Sequence, residues 1–247
     1  MLAQMANAIS HRGPDSDGYW IDPQASIGLA HRRLAIVDLS PAGAQPMFSV
    51  SGRYVLAFNG EIYNHVRLRD ALEREGKVSA NWQGHSDTET LLAGFDAWGI
   101  EGTLKQSVGM FAVAVWDRTD HVLTLARDRL GEKPLYYGWQ GQGSGAVFLF
   151  GSELSSLRRH PVFAAEVSRD ALALYMVHNY IGGEHSIYNG IRKLAPGHLL
   201  SVSLARPEPQ MRAWWSGADV ALRGVAHPFR GSPEQAVDAL EALLRDA

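Results

Sequence analysis

A chain of 247 residues with 46% hydrophobic and 20% charged residues is long and apolar enough to bury a core, and its net charge of −3 comes from interspersed residues of both signs. No basic face advertises nucleic acid or an anionic membrane, no apolar run reaches bilayer length, and no leader opens the chain, so a cytoplasmic protein handling small neutral or zwitterionic ligands is expected. Cysteine is absent, which removes disulfides, thiolate metal sites and a cysteine nucleophile from these residues.

Leu2, Met5, Ala6 and Ile9 recur at helical spacing with nothing ahead of Leu2 to cap them, so the first helix reads as starting in mid-element. Strand-like runs follow at 26–37 and 54–58. A helix over 68–75 is closed by Gly76, and another over 88–98 is opened by Ser86 with Glu89 three residues on and closed by Gly99. The runs 110–116 and 122–126, joined by Asp117-Arg118-Thr119-Asp120, predict an antiparallel hairpin. Runs 135–139 and 147–150 flank the glycine-rich 141–145, which reads as a hairpin loop and not as a dinucleotide fingerprint. Beyond Ser168 come a helix over 170–177, a strand over 198–202, and the linker-like stretches 206–209 and 217–232. Ser232, Pro233 and Gln235 then form a capped helix start, with Val237, Leu240, Leu243 and Leu244 on one face. Both ends are expected to continue in a longer protein. Hairpin-linked strands with helices grouped between them argue for an α+β fold.

Five polar segments sit at the ends of these runs: His11-Arg12-Gly13-Pro14-Asp15, the stretch from His31 to Asp38, the stretch from Phe58 to Asn64, Ser86-Asp87-Thr88-Glu89, and Arg127-Asp128-Arg129-Leu130-Gly131. Each alone has a structural reading. Gly13-Pro14 sets a turn, Arg33 is a surface cation, Asn59-Gly60 is a hairpin turn, and Asp87 charges a helix N-terminus. In this order and spacing, together with Gly109-Met110-Phe111-Ala112, Lys133-Pro134-Leu135-Tyr136-Tyr137, Ser152-Glu153 and Leu194-Ala195-Pro196-Gly197-His198, they resemble the class II glutamine amidotransferase domain of the asparagine synthetases. These are N-terminal-nucleophile hydrolases. Asn59-Gly60-Glu61-Ile62-Tyr63-Asn64 is the most discriminating segment.

The resemblance implies a four-layer α/β/β/α sandwich of two mainly antiparallel sheets, followed by the start of an α-rich synthetase domain. It implies an amidotransferase domain over 1–160 that lacks its first strand, a domain end and linker over 161–231, and the first synthetase helix over 232–247. L-Glutamine is the implied ligand. Arg33 would pair with its α-carboxylate, Asp87 assisted by Glu61 would hold its α-ammonium, and the backbone at Ile36 and Val37 would line the amide end. Asn59, through its side-chain amide, and Gly60, through its backbone N–H, would form the oxyanion hole. The family's nucleophile is an N-terminal cysteine, absent here, so these residues alone are expected to be inactive. No cofactor is expected within them; ATP and magnesium are expected at a synthetase domain elsewhere in the same chain, where ammonia would meet adenylated aspartate.

A homodimer is left open, and neither nucleic acid nor membrane is expected as a partner. Two alternatives stand beside this reading: a non-catalytic glutamine-binding or scaffold module, and an asparagine-synthetase-like amide ligase of antibiotic or polysaccharide biosynthesis. The ten histidines show no metal-ligand spacing, so no metal site is expected. Arg127, Asp128 and Glu153 are read as structural.

Overall fold

The computed structural model describes residues 1–78 and 81–246. The first half of the chain forms α1 (Leu2–Asn7), β1 (Ser16–Asp22), β2 (Ile27–Arg33), β3 (Met47–Phe48), β4 (Tyr54–Ile62), α2 (His65–Arg74), α3 (Asp87–Gln106) and β5 (Gly109–Asp117). Then come β6 (Val122–Arg127), β7 (Tyr136–Gln140), β8 (Val147–Gly151), α4 (Leu154–Leu157), α5 (Arg169–His178), β9 (Arg192–Lys193), β10 (His198–Val202), β11 (Gln210–Ala213), α6 (Gly217–Ala226) and α7 (Pro233–Asp246). Every strand pairing is antiparallel.

The central sheet has six strands in the order β11-β10-β6-β5-β4-β3. Its long β4 and β5 alternate apolar side chains to both faces, as a sheet covered on both sides requires. Tyr54, Leu56, Phe58, Phe111, Val113 and Val115 pack under α2 and α3 against Leu68, Leu91, Phe95 and Leu104. Val55, Ala112, Ala114 and Trp116 face the opposite way, against Leu29, Leu135, Tyr137 and Leu194. That opposing layer comprises the β1–β2 ribbon and the three-stranded sheet β8-β7-β9. Outside it, Met5 of α1 and Leu157 of α4 cover Leu149 and Ile191. The result is the expected α/β/β/α layering, with the second sheet present as two pieces.

Several sequence expectations are corrected by local chemistry. The strand expected over 26–37 ends at Arg33, because Asp15 donates its N–H to the Arg33 carbonyl and accepts the Ala35 N–H, turning the chain outward. The strand expected over 54–58 runs on to Ile62, so Asn59-Gly60 lies inside a strand and not at a turn. Helix α3 continues past its kink at Gly99 to Gln106, where Thr103 ties its hydroxyl to the Gly99 carbonyl. The stretch read as linker over 217–232 contains α6, opened by Ser216 accepting the Asp219 N–H.

Met1–Trp215 forms one compact unit and Ser216–Ala247 a second. In the second, Ser232 and Gln235 exchange the reciprocal hydrogen bonds of a capping box at the start of α7. No helix among the described residues is long and apolar enough to cross a membrane.

Candidate functional site

The short β3 pairs with β4 only at Val55 and Leu56, so from Ala57 onward that edge of β4 has no strand beside it among the described residues. Side chains take over the pairing. The Phe58 N–H donates to Gln45 Oε1 at 2.7 Å, its carbonyl lies 3.0 Å from His31 Nε2, and the Ile62 N–H donates to Asp87 Oδ2 at 2.9 Å. Because main-chain groups alternate sides along a strand, the Gly60 N–H points to this same open edge, between those of Phe58 and Ile62. Residue 60 must also be small: a Cβ there would run into the Met110 carbonyl oxygen of β5. Asn59 projects from the other side of the pleat, and its Nδ2 is buried with no hydrogen-bond partner among the described residues.

Asp87 is the first residue of α3, whose N-cap Ser86 accepts the Glu89 N–H at 3.3 Å. Asp87 is 5% exposed. Burial pushes its carboxyl up from the ordinary carboxylate range, the Ile62 N–H and His65 oppose that, and the charge of Glu61 reinforces it. Two carboxylates and a helix N-terminus thus converge on the end of β4. His65 Nδ1, nearby, is buried without a partner among the described residues, and burial lowers the affinity of that ring for a proton.

Arg33 ends β2 and is held by the loop that follows, donating to the carbonyls of Asp38 and Ser40. Three of its five guanidinium N–H groups stay outside those two bonds. Asp38 fastens the same loop to the start of α3, accepting the Ser40 N–H and the His85 N–H at 2.8 and 2.9 Å. Hydrogen bonds from Ser40 and His85 hold the Asp38 carboxyl down at about 2. Gly84 permits the close approach, since a Cβ there would strike the Asp38 carboxylate. Arg33 and Asp87 are therefore tied to each other through Asp38 and His85. Ile36 and Val37 lie on the exposed outer part of this loop.

A cavity of about 670 Å³ opens between the central sheet and the opposing layer; its lining includes the polar His31, Arg32 and Asn59 and the apolar Leu2, Met5, Ala114 and Leu135. Arg33, Gly60 and Asp87 are not among its lining residues. His31, Asp38 and Gln45 were not singled out from sequence. The first two stand in a segment quoted for other residues, and only the fold reveals that their side chains serve neighbouring main chain.

The segments around the site are structural. His11 and Arg12 both lie 3.0 Å from Glu153. Gly13 packs so closely on the Arg32 main chain that no Cβ would fit. Asp128, 1% exposed, accepts five main-chain N–H groups, while Arg127 donates to the carbonyls of Lys133 and Leu194.

The model of the glutamine amidotransferase domain family matches residues 1–215. The chain belongs to that family. It is 33% identical over its whole length to asparagine synthetase [glutamine-hydrolyzing] 2 of Bacillus subtilis, of which the match spans 32%. It is 37% identical over 82% of its length to asparagine synthetase [glutamine-hydrolyzing] 1 of the same organism, spanning 30% of that protein. A putative asparagine synthetase [glutamine-hydrolyzing] of Mycobacterium tuberculosis is 33% identical over the whole chain, which spans 37% of it. The chain thus spans about a third of the length of these relatives, and corresponds to their glutamine amidotransferase portion. The structure of the glutamine phosphoribosylpyrophosphate amidotransferase of B. subtilis superposes with a TM-score of 0.59, at 17% identity, over 87% of this chain and 46% of that one. This last likeness extends to the fold.

Proposed function

We propose that this amidotransferase domain binds L-glutamine and supplies every part of a glutaminase site except the nucleophile, within a longer protein that passes the released ammonia to an acceptor. The observation that carries the reading is the open edge of β4. There the Gly60 N–H has no strand to pair with among the described residues, Asp87 accepts the Ile62 N–H two residues on, and Asn59, next in sequence, carries a buried amide donor without a partner among those residues.

The charges match the ligand. A guanidinium suits an α-carboxylate, and the Asp87 and Glu61 carboxylates suit an α-ammonium, whose arrival would relieve their mutual repulsion. The two donors suit the oxygen of the side-chain amide, on which negative charge grows as the carbonyl is attacked. Ile36 and Val37 would line the amide end with their backbone. Since the sequence contains no cysteine, the family's thiol and the α-amine that serves as its base come from outside these residues. The 247 residues alone then release no ammonia from glutamine.

The asparagine synthetase relatives favour aspartate as the acceptor, with ATP and Mg²⁺ used in the two thirds of their length that this chain does not match. In that longer protein, Arg33→Ala raises the glutamine KM and leaves synthesis from added ammonium unchanged. Equal loss of both activities would make Arg33 a structural residue and defeat the reading.

A further inference from the structure

Three residues lining the same cavity carry a buried polar side-chain atom without a partner among the described residues: Asn59 at Nδ2 and Trp116 at Nε1, both donors, and His31 at Nδ1. The His31 ring is fixed by its other nitrogen, Nε2, 3.0 Å from the carbonyl of Phe58, the residue next to Asn59. A carbonyl only accepts, so Nε2 carries the proton. Nδ1 of the neutral ring is then a bare acceptor. Burial, the largest influence, holds the ring neutral, lowering its pKa to about 4 against the opposing Phe58 bond. Leaving a buried donor and a buried acceptor unpaired costs the desolvation of both, so the Asn59 amide and the His31 ring, joined through Phe58, mark a place built for a ligand with the inverse pattern.

That inverse pattern, an acceptor beside a donor, is a primary carboxamide. We infer that His31 is a specificity-determining residue of the glutamine site, its Nδ1 accepting a hydrogen bond from the substrate's amide NH₂ while Asn59 donates to the amide oxygen. The inference rests on the glutamine reading above and deepens it. A glutamate side chain would set a carboxylate oxygen lone pair against the Nδ1 lone pair, so the arrangement selects glutamine over glutamate and disfavours retention of the hydrolysis product. A site that hydrogen-bonds an NH group rejects an analogue lacking it because the site's own buried atom is left unpaired.

The test is calorimetric titration of the 247-residue chain with L-glutamine and L-glutamate, in wild type, His31→Gln and Asn59→Ala. The glutamine side chain introduced at 31 can keep a donor on Phe58 while removing the Nδ1 acceptor. The expected result is a wild-type preference for glutamine of at least about tenfold, reduced about tenfold in His31→Gln. Asn59→Ala weakens both ligands alike, because its amide donates to an oxygen that both possess. An unchanged glutamine-to-glutamate ratio in a folded His31→Gln overturns the role of His31 and leaves the glutamine site standing. Failure of the wild type to bind either ligand overturns both. Should His31→Gln not fold, the ¹⁵N resonance of His31 Nδ1 in the wild type decides: it moves on saturation with L-glutamine if Nδ1 accepts the amide, and its failure to move overturns the inference.

Discussion

Replacing Asp128 with alanine removes the acceptor for five main-chain N–H groups at once. Its Oδ1 takes those of Leu130, Gly131 and Glu132 at 3.1, 2.5 and 2.9 Å, and its Oδ2 those of Phe111 and Lys133 at 3.1 and 3.0 Å. A hydrogen bond to a charged group contributes about 1.5–3 kcal/mol net, so a simple sum would approach the entire stability of an ordinary domain. The bonds share one carboxylate and are not additive, and the loop at Leu130 is 73% exposed, so water recovers some of the donors. The expected loss is therefore about 4 kcal/mol for Asp128→Ala, and about half that for Asp128→Asn, which keeps one acceptor oxygen. In a compact unit the size of Met1–Trp215, each kcal/mol moves Tm by about 2–4 °C, which places the alanine variant about 8–16 °C below wild type. Urea unfolding followed by tryptophan fluorescence, with parallel thermal melts, measures both. A loss under about 1 kcal/mol for alanine would refute the claim that this carboxylate organises the start of β5, and with it the Gly60–Phe111 pairing.

Three further outcomes are expected. Gly60→Ala drives a Cβ into the Met110 carbonyl and parts β4 from β5; a stability loss of about 1–3 kcal/mol with abolished glutamine binding is expected in denaturation and calorimetry, and wild-type affinity would contradict it. His31 has a folded pKa of about 4 against 6.5 unfolded, so its contribution is fully present above pH 6.5 and is lost as pH falls toward 4. That amounts to about 3 kcal/mol, and the acid-side slope of stability should flatten in His31→Gln; identical slopes would show that His31 is not the group responsible. Asp38→Ala cuts the Arg33 loop loose from the start of α3 and should raise the glutamine Kd at least about fivefold at pH 7, whereas an unchanged Kd would show that the loop is held by other means.

Periodicity was a good guide where strands follow one another through a tight turn or alternate regularly. The hairpin of β5 and β6, the glycine-rich loop between β7 and β8, and the strand at 198–202 all follow from alternation bounded by turn residues. It misled where side chains govern main chain. Asn59-Gly60 has the composition of a turn, yet β5 pairs it straight through as strand. Arg33 ends its strand because Asp15, distant in sequence, takes the next donor. The strand at Ser16–Asp22 was invisible because Gly18, Tyr19, Trp20 and Asp22 alternate too weakly to signal a half-exposed ribbon. Within the candidate site, Arg33, Glu61 and Asp87 were singled out by resemblance. The contacts of His31, Asp38 and Gln45 were not, since each depends on which main-chain group the fold brings opposite.

The most direct measurement is ammonia release from L-glutamine by the purified 247-residue chain, set beside the same chain extended ahead of Met1 by the cysteine-initiated strand of the longer protein proposed above. The expected result is no turnover without the extension, because loss of the nucleophile in comparable machinery costs about 10⁶ in rate. Turnover should appear with the extension, vanish when its cysteine becomes alanine, and fall by about 10²–10³ in Asn59→Ala. Robust turnover by the unextended chain, abolished by Asn59→Ala, would contradict the account and require a nucleophile among the residues described here.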